Sequence, residues 1–499
     1  MANMRILIRI VFVIFITNVI DCLGSDSCCN FPKYKNSTTE SLVNKYWYNA
    51  KKNLVLKIFK KGNDNVFTSK GNEYKISFKL NENNKLEITN QNENENKLKL
   101  EDKKYALFEI ETQDKTTVYL YCSDVESGKY NDGVYGIFER TTHIRISVIS
   151  CDTENIENME RMFESCNNLT KIKFGKNFNT TKVTNMTRIF CMCSSLTELD
   201  LKNFNTTNVE NMGGMFAKCS SLIELDLQNF NTINVKNMEG MFENCSSLTV
   251  LDLKNFNTKN VTTMEGIFFN CRSLTKLEFE KNFNTENVTK MGYMFYGCQK
   301  LTELNLQNFD TTNVKNMERM FNNCSNLTIL KFEENFNTTN VTNMRNMFFR
   351  CSSLTELDLK NFNTTNVKNM EGMFDNCSNL TVLKFGENFN TTNVTDMCGM
   401  FSGCSSLTKI DLQNFNTTNV TDMCGMFSGC SSLTKLNLQN FNTTNVTDMR
   451  SMFENCSSLT KLEFGENFNT KNGTEVDGIF SECINLPQET QNEILGENK

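Results

Sequence analysis

The sequence predicts an α/β solenoid, with parallel strands stacked coil on coil and short helical segments on the convex side, preceded by a small all-β N-terminal module. Three observations carry this. Thirteen cysteines, from Cys166 to Cys483, recur at intervals of 26 or 27 residues. Inside each interval the apolar spacing changes from alternation to steps of three and four. Ahead of the repeats, residues 25–136 show alternation alone. A sustained period of this size means units that bury their apolar faces only against their neighbours.

At the start of the chain, Arg5 and Arg9 precede the apolar run Ile10–Ile16, and Cys22-Leu23-Gly24 offers small residues for cleavage after Gly24. Charge, apolar run and small residues in that order predict a signal peptide over 1–24. The expected location is therefore secreted, extracellular or at the cell surface, reached through an oxidising compartment. No transmembrane segment is expected after signal cleavage.

Residues 25–136 carry runs such as Leu54-Val55-Leu56-Lys57-Ile58-Phe59 and Tyr74-Lys75-Ile76-Ser77-Phe78, broken by Asn- and Gly-rich stretches. Period two with turn punctuation predicts antiparallel strands. Residues 137–165 read as a degenerate capping repeat, because Thr141 stands where the ladder cysteine is due.

The repeats proper span 166–483. After Cys193 come Leu196, Leu199, Leu201 and Phe204, and Leu199-Asp200-Leu201 alternates as a strand does. Val209, Met212, Met215, Phe216 and Cys219 then follow in steps of three and four, which predicts one face of a short helix. The five 27-residue intervals carry Phe at the third strand position (Phe174, Phe279, Phe332, Phe385, Phe464), where the 26-residue intervals carry Leu. A bulge that admits the larger ring is the expected cause. Residues 484–499, with Pro487, read as a C-terminal cap and polar tail.

The run Cys193–Leu201 resembles a leucine-rich repeat. The fuller unit at Asn390–Leu407, with its Asn-Val-Thr, paired Met and Met-Phe, closely resembles the BspA-like family of leucine-rich repeat surface proteins. That resemblance implies an extracellular binding protein, often an adhesin. It covers about two thirds of the chain and leaves out 25–136. The chain departs from the common repeat at Phe204 and its equivalents, where Asn or Cys is usual.

Composition narrows the function. There are 40 Phe, 25 Met and 21 Cys against 2 Pro and a single histidine, His143. Multi-histidine metal sites are excluded and the usual proton carrier is nearly absent, so no enzyme, catalytic residue, metal or cofactor is expected. The net charge of −6 gives no reason to expect nucleic acid. The ladder cysteines read as small buried residues. Cys398 and Cys424 share a slot in adjacent units and are a candidate disulfide, if the helical segments lie close enough. Sequons at Asn36, Asn179, Asn205, Asn337, Asn363, Asn390, Asn416 and Asn442 are candidate glycosylation sites that double as turn chemistry.

The candidate binding face is the outward side of the strands. It carries Glu198, Asp200, Glu224, Asp226, Asp252 and Glu278 early, and Lys409, Lys435 and Lys461 late. The expected partner is a protein or glycan on a cell surface or matrix. The alternative is a structural coat or matrix component that self-associates through the repeats.

Overall fold

A computed structural model describes the strand backbones between residues 55 and 151 and, from residue 156, every residue except 176–177, 333–334, 471–473 and 497–499. The expected signal peptide, Asn36, the side chains of the 25–136 module and residues 137–144 and 152–155 lie outside the described residues. The chain divides into two compact units, Met1–Asn231 and Thr232–Lys499.

In the first unit the strands are β1 (Val55–Lys61), β2 (Val66–Ser69), β3 (Asn72–Leu80), β4 (Leu86–Asn90), β5 (Tyr105–Glu111), β6 (Thr117–Ser123), β7 (Arg145–Cys151), β8 (Lys171–Phe174) and β9 (Glu198–Leu199). They pair in the order β4-β3-β2-β1-β6-β5-β7-β8-β9. Pairing is antiparallel up to β5–β7 and parallel from there on, with Ile146 opposite Ile172 and Ile172 opposite Leu199. The switch follows from connection length, since parallel neighbours need a long crossover and one coil supplies it.

In the second unit the strands pair two by two, all parallel. They are β10 (Val250–Asp252) with β11 (Lys276–Glu278), β12 (Glu303–Asn305) with β13 (Ile329–Lys331), β14 (Glu356–Leu359) with β15 (Val382–Phe385), and β16 (Lys435–Leu438) with β17 (Lys461–Phe464). The helix α1 (Gln488–Leu495) follows Pro487, buries Ile494 and accepts a hydrogen bond from Thr470 Oγ1 at the Ile494 carbonyl, 2.9 Å.

The repeats are thus a parallel β-solenoid, and the expected convex helices are not formed. The coil that ends at Cys377 shows why. The N–H groups of Met370, Gly372, Phe374 and Asn376 donate to Asp396, Cys398, Met400 and Ser402 of the next coil, at 3.0, 2.8, 2.9 and 2.7 Å. The intervening Met373, Asp375 and Cys377 close tight turns onto residues three back, at 3.2, 3.1 and 3.1 Å. A helix would send every N–H to a residue four back in its own coil. Gly372 and Asn376 also stand at φ +57° and +58°, left-handed positions that a right-handed helix cannot contain. The same two slots are left-handed in every described coil, from Arg161 and Ser165 to Gly478 and Glu482. Turns linked in this way still return an inward side chain every third or fourth residue, so the apolar spacing imitates a helix.

Those inward side chains form columns. Met370, Met373, Phe374 and Cys377 are completely buried, and their equivalents are buried in the other described coils except at Val476 of the last. The Phe column stacks ring on ring, Phe163 to Phe190 at 5.5 Å in the first unit and Phe348 to Phe374 to Phe401 at 5.6 and 5.5 Å in the second, with planes within 6°. Phe204 and its equivalents fill a second column. Each ladder thiol of the second unit from Cys271 onward donates to a Phe carbonyl of the coil before, for example Cys298 Sγ to Phe268 O at 3.3 Å. Burial pushes the thiols of Cys271, Cys324, Cys377 and Cys430 up to about 12.

The 27-residue coils differ at the strand exit. In a 26-residue coil the closing turn starts at the strand's last Leu, as in Phe362 N to Leu359 O, 2.9 Å. In a 27-residue coil it starts one residue later, as in Phe389 N to Gly386 O, 3.1 Å. Phe385 is then only half-buried and lies against Phe389 at 4.3 Å and Phe415 at 5.3 Å. Gly386 is required there, because a Cβ would meet the Lys360 carbonyl oxygen at 2.0 Å.

A buried threonine column ties the coils together on the far side. Thr364 Oγ1 donates to Asn390 O at 2.7 Å and accepts from Asn390 N at 2.8 Å, with no exposure to solvent. This uses both hydrogen-bonding capacities of the hydroxyl.

Candidate functional site

The outward strand face is where the coils stop repeating. A strand sends alternate side chains to opposite faces. The inward ones repeat, as with Leu357 and Leu383, whereas the outward ones do not. The position five after the ladder cysteine reads Val250, Lys276, Glu303, Ile329, Glu356, Val382, Lys409, Lys435 and Lys461 along the second unit. Val250, Ile329 and Val382 are 44%, 42% and 38% exposed, unusual for aliphatic side chains and all in this one column.

In the first unit Glu198, Asp200, Glu224 and Asp226 are exposed on this face, and Glu198 is paired with Lys171 of the preceding coil. In the second unit Asp252, Lys409, Lys435 and Lys461 are exposed and Glu278 is half-buried. Glu278 pairs with Lys276 at 2.7 Å and Lys254 at 3.0 Å. Their hydrogen bonds hold its carboxyl below the usual range, Lys276 contributing most. Lys435 stands directly opposite Lys461 in the parallel register, and Lys461 also pairs with Glu463. The charges therefore sit in local pairs as well as in stripes.

Three of the acidic residues have a second task. The Oδ1 atoms of Asp200, Asp226 and Asp252 accept the N–H two residues on, from Lys202, Gln228 and Lys254, at 3.1, 3.1 and 3.0 Å. Asn305 and Asn437 make the same turn without a charge. Turn geometry accounts for an oxygen-bearing residue in this slot, while the choice of Asp over Asn adds the negative charge.

The sequon residues lie in exposed or half-exposed turns. Asn179, Asn205, Asn337, Asn363, Asn390, Asn416 and Asn442 each accept, at Oδ1, the N–H of the threonine two residues on, at 2.7–3.1 Å. The intervening threonine is the buried one of the column.

The turn face holds a second set of groups of which sequence reasoning singled out only Cys398 and Cys424, because these residues were read as a helix. A column of Asn and Asp, among them Asn343, Asn369, Asp396, Asp422 and Asp448, bridges coil to coil, and each side chain accepts the N–H two residues on. Beside it run Glu239, Glu265, Glu318, Arg345, Glu371, Cys398, Cys424 and Arg450. Arg345 pairs with Glu371 at 2.7 Å. Burial pushes the carboxyls of Glu265, Asp396 and Asp422 up, with neighbouring acids adding to it. Asp375 is pushed up to about 6, mainly by burial. Phe269 and Tyr296 stack at 4.6 Å, and Tyr293 OH donates to Glu318 Oε1 at 3.1 Å. The recurring Asn before each paired Met was the available signal.

Among the described residues no group of three or more His, Cys, Asp and Glu side chains is arranged to hold a metal, and no helix is long and apolar enough to cross a membrane. A shallow notch at the strand exit is lined by Leu383, Lys384, Phe385, Asp411, Gln413, Asn414 and Phe415.

A family model described as "Mycoplasma protein of unknown function, DUF285" matches residues 133–250, 238–333, 306–384 and 379–493. No curated protein matches the chain. Among solved structures, a leucine rich cell surface protein from Faecalibacterium prausnitzii A2-165 is similar at 17% identity, over 62% of this chain and 77% of that one, with a TM-score of 0.32.

Proposed function

The chain belongs to the DUF285 family of BspA-like repeat proteins, and from that premise we propose that it is a secreted or surface-held, non-catalytic binding protein of adhesin type. Its working surface is the outward strand face, and its ligand is a protein or glycan on a cell surface or matrix. One observation carries the reading: an inward pattern fixed from coil to coil displays an outward column that varies, with exposed Val250, Ile329 and Val382 among alternating charges. Val250, Ile329 and Val382 alternate with charges in one outward column, so the face offers a ligand both apolar and charged contacts. The basic stripe at Lys409, Lys435 and Lys461 gives that surface its attraction for acidic ligands. The charged and apolar start of the chain, residues 1–24, supports export, and export supports glycans at the sequon turns.

The test is a binding assay of the full chain on cells and on arrays of matrix proteins and glycans. The triple variant Lys409→Glu, Lys435→Glu, Lys461→Glu is compared with an equal charge change on the turn face. Loss of binding in the strand-face variant alone supports the proposal. Unchanged binding in that variant overturns it. Sedimentation of the same proteins separates ligand binding from lateral self-association, the reading that Val250, Ile329 and Val382 would also serve.

A further inference from the structure

Among the described cysteines outside the ladder, two lie in the same slot of adjacent coils, while Cys191 is buried. Cys398 and Cys424 are half-buried on the turn face, in the column that elsewhere carries Glu239, Glu318, Glu371 and Arg450. Both occupy the same slot of adjacent coils, each immediately before a left-handed glycine, Gly399 at φ +61° and Gly425 at φ +58°. The backbone is clipped in register on both sides of them. Asp396 bridges Asp422, Gly372 N donates to Cys398 O at 2.8 Å, and Gly399 N donates to Cys424 O at 2.7 Å.

In-register neighbours in a parallel stack lie about 4.8 Å apart, inside the Cα separation of about 4.4–6.8 Å that a disulfide spans. Both are free thiols, and each bears on the ionisation of the other. We propose that Cys398 and Cys424 are a modification site, a thiol pair that closes to an inter-coil disulfide by exchange with a low-molecular-weight disulfide.

The exchange balances without any other reagent. The Cys424 thiolate attacks one sulfur of the reagent, a mixed disulfide forms and the first thiolate leaves and takes up a proton. Cys398 then loses its proton and attacks the Cys424 sulfur, which releases the second thiol. The protein has lost two hydrogens and the reagent has become two thiols. Burial and neighbouring acids raise both thiols, Asp422 and Asp396 at Cys398 and Asp448 and Asp422 at Cys424, whereas Arg450 favours the thiolate at Cys424 alone. Cys424 is therefore the attacking group. The ladder thiols stay out of the reaction, because they are buried and each described donor is spent on a Phe carbonyl.

The experiment uses the full chain, reduced and then held folded in oxidised glutathione. Remaining thiols are alkylated in denaturant and tryptic peptides are mapped without reduction. Peptides 385–409 and 410–435 are separate because Lys409 lies between the two cysteines. The expected result is a linked pair lighter by two hydrogens, with fragment ions placing the bond at Cys398 and Cys424, and no linked pair in Cys398→Ser or Cys424→Ser. Alkylation of both residues after oxidation overturns the proposal, as does a bond through Cys404 or Cys430. The wild-type map decides the matter even where a variant fails to fold.

Discussion

At the scale of single residues, the strongest commitments are polar groups hidden in an apolar stack. Thr364 serves both the N–H and the carbonyl of Asn390 without touching solvent. Replacing it by Val keeps the shape and strands two backbone groups. A buried group without its partner costs about 1–3 kcal/mol, so Thr364→Val should lower stability by about 2–4 kcal/mol, while Thr364→Ser loses only a methyl group. Urea unfolding of the two variants checks this, and equal midpoints would refute it. Asp375 makes the opposite case. Its carboxyl is raised to about 6, mainly by burial, so the charged form is the costly one in the fold. Because the folded state holds this proton more tightly than the unfolded chain, the group detracts from stability above about 6. The penalty fades as pH falls toward the ordinary carboxylate range near about 3.9. Asp375→Asn should therefore raise the urea midpoint at about pH 8 and leave it nearly unchanged at about pH 4.

At the scale of the element, the linked-turn segment depends on its two left-handed positions. Gly266 at φ +60° has only Phe269 Cβ near the place of an added Cβ, at 3.6 Å, so a substitution there tests the backbone rather than packing. A left-handed conformation costs an L-residue about 1–2 kcal/mol, and more when it is β-branched. Gly266→Val should therefore destabilise by about 2 kcal/mol and Gly266→Asn by clearly less, since Asn346 occupies the same slot at φ +54°. Thermal melts compare the two directly. A helical segment would give the opposite sign, since Val is a slightly better helix former than Gly.

At the scale of the whole molecule, each unit is a short-range object, because every coil contacts chiefly its neighbours. Surface charge can then be changed without a global penalty. Lys435 and Lys461 already stand side by side as like charges, so reversal to Glu exchanges one repulsion for another and gives up only the exposed Lys461–Glu463 pair, while Leu436 and Leu462 stay inward. The triple reversal at Lys409, Lys435 and Lys461 should leave the unfolding midpoint within about 0.5 kcal/mol of wild type. Its effect on binding should shrink with added salt, as the screening length falls from about 10 Å at 0.1 M to about 3 Å at 1 M. Binding that is lost equally at all salt concentrations would point to contact rather than long-range attraction.

The sequence by itself determined the coil. The cysteine register, the parallel stacking of Leu-x-Leu strands and the inward Met, Phe and Cys columns all follow from periodicity, because a residue type that recurs at one interval must meet its own copies. The outward face was equally legible, since alternation in a strand decides which side faces water. Three things were left to the tertiary structure. Steps of three and four fit a helix and a chain of tight turns alike. What separates them is the destination of the backbone N–H groups, which here is the next coil, as Gly372 and Phe374 show. The double role of Asp200, Asp226 and Asp252 was hidden because a carboxylate on a strand and one closing a turn look the same in one dimension. The placing of Cys398 beside Cys424 depended on that same ladder, for only stacked turns, clipped coil to coil, set two half-buried cysteines in the same slot of adjacent coils.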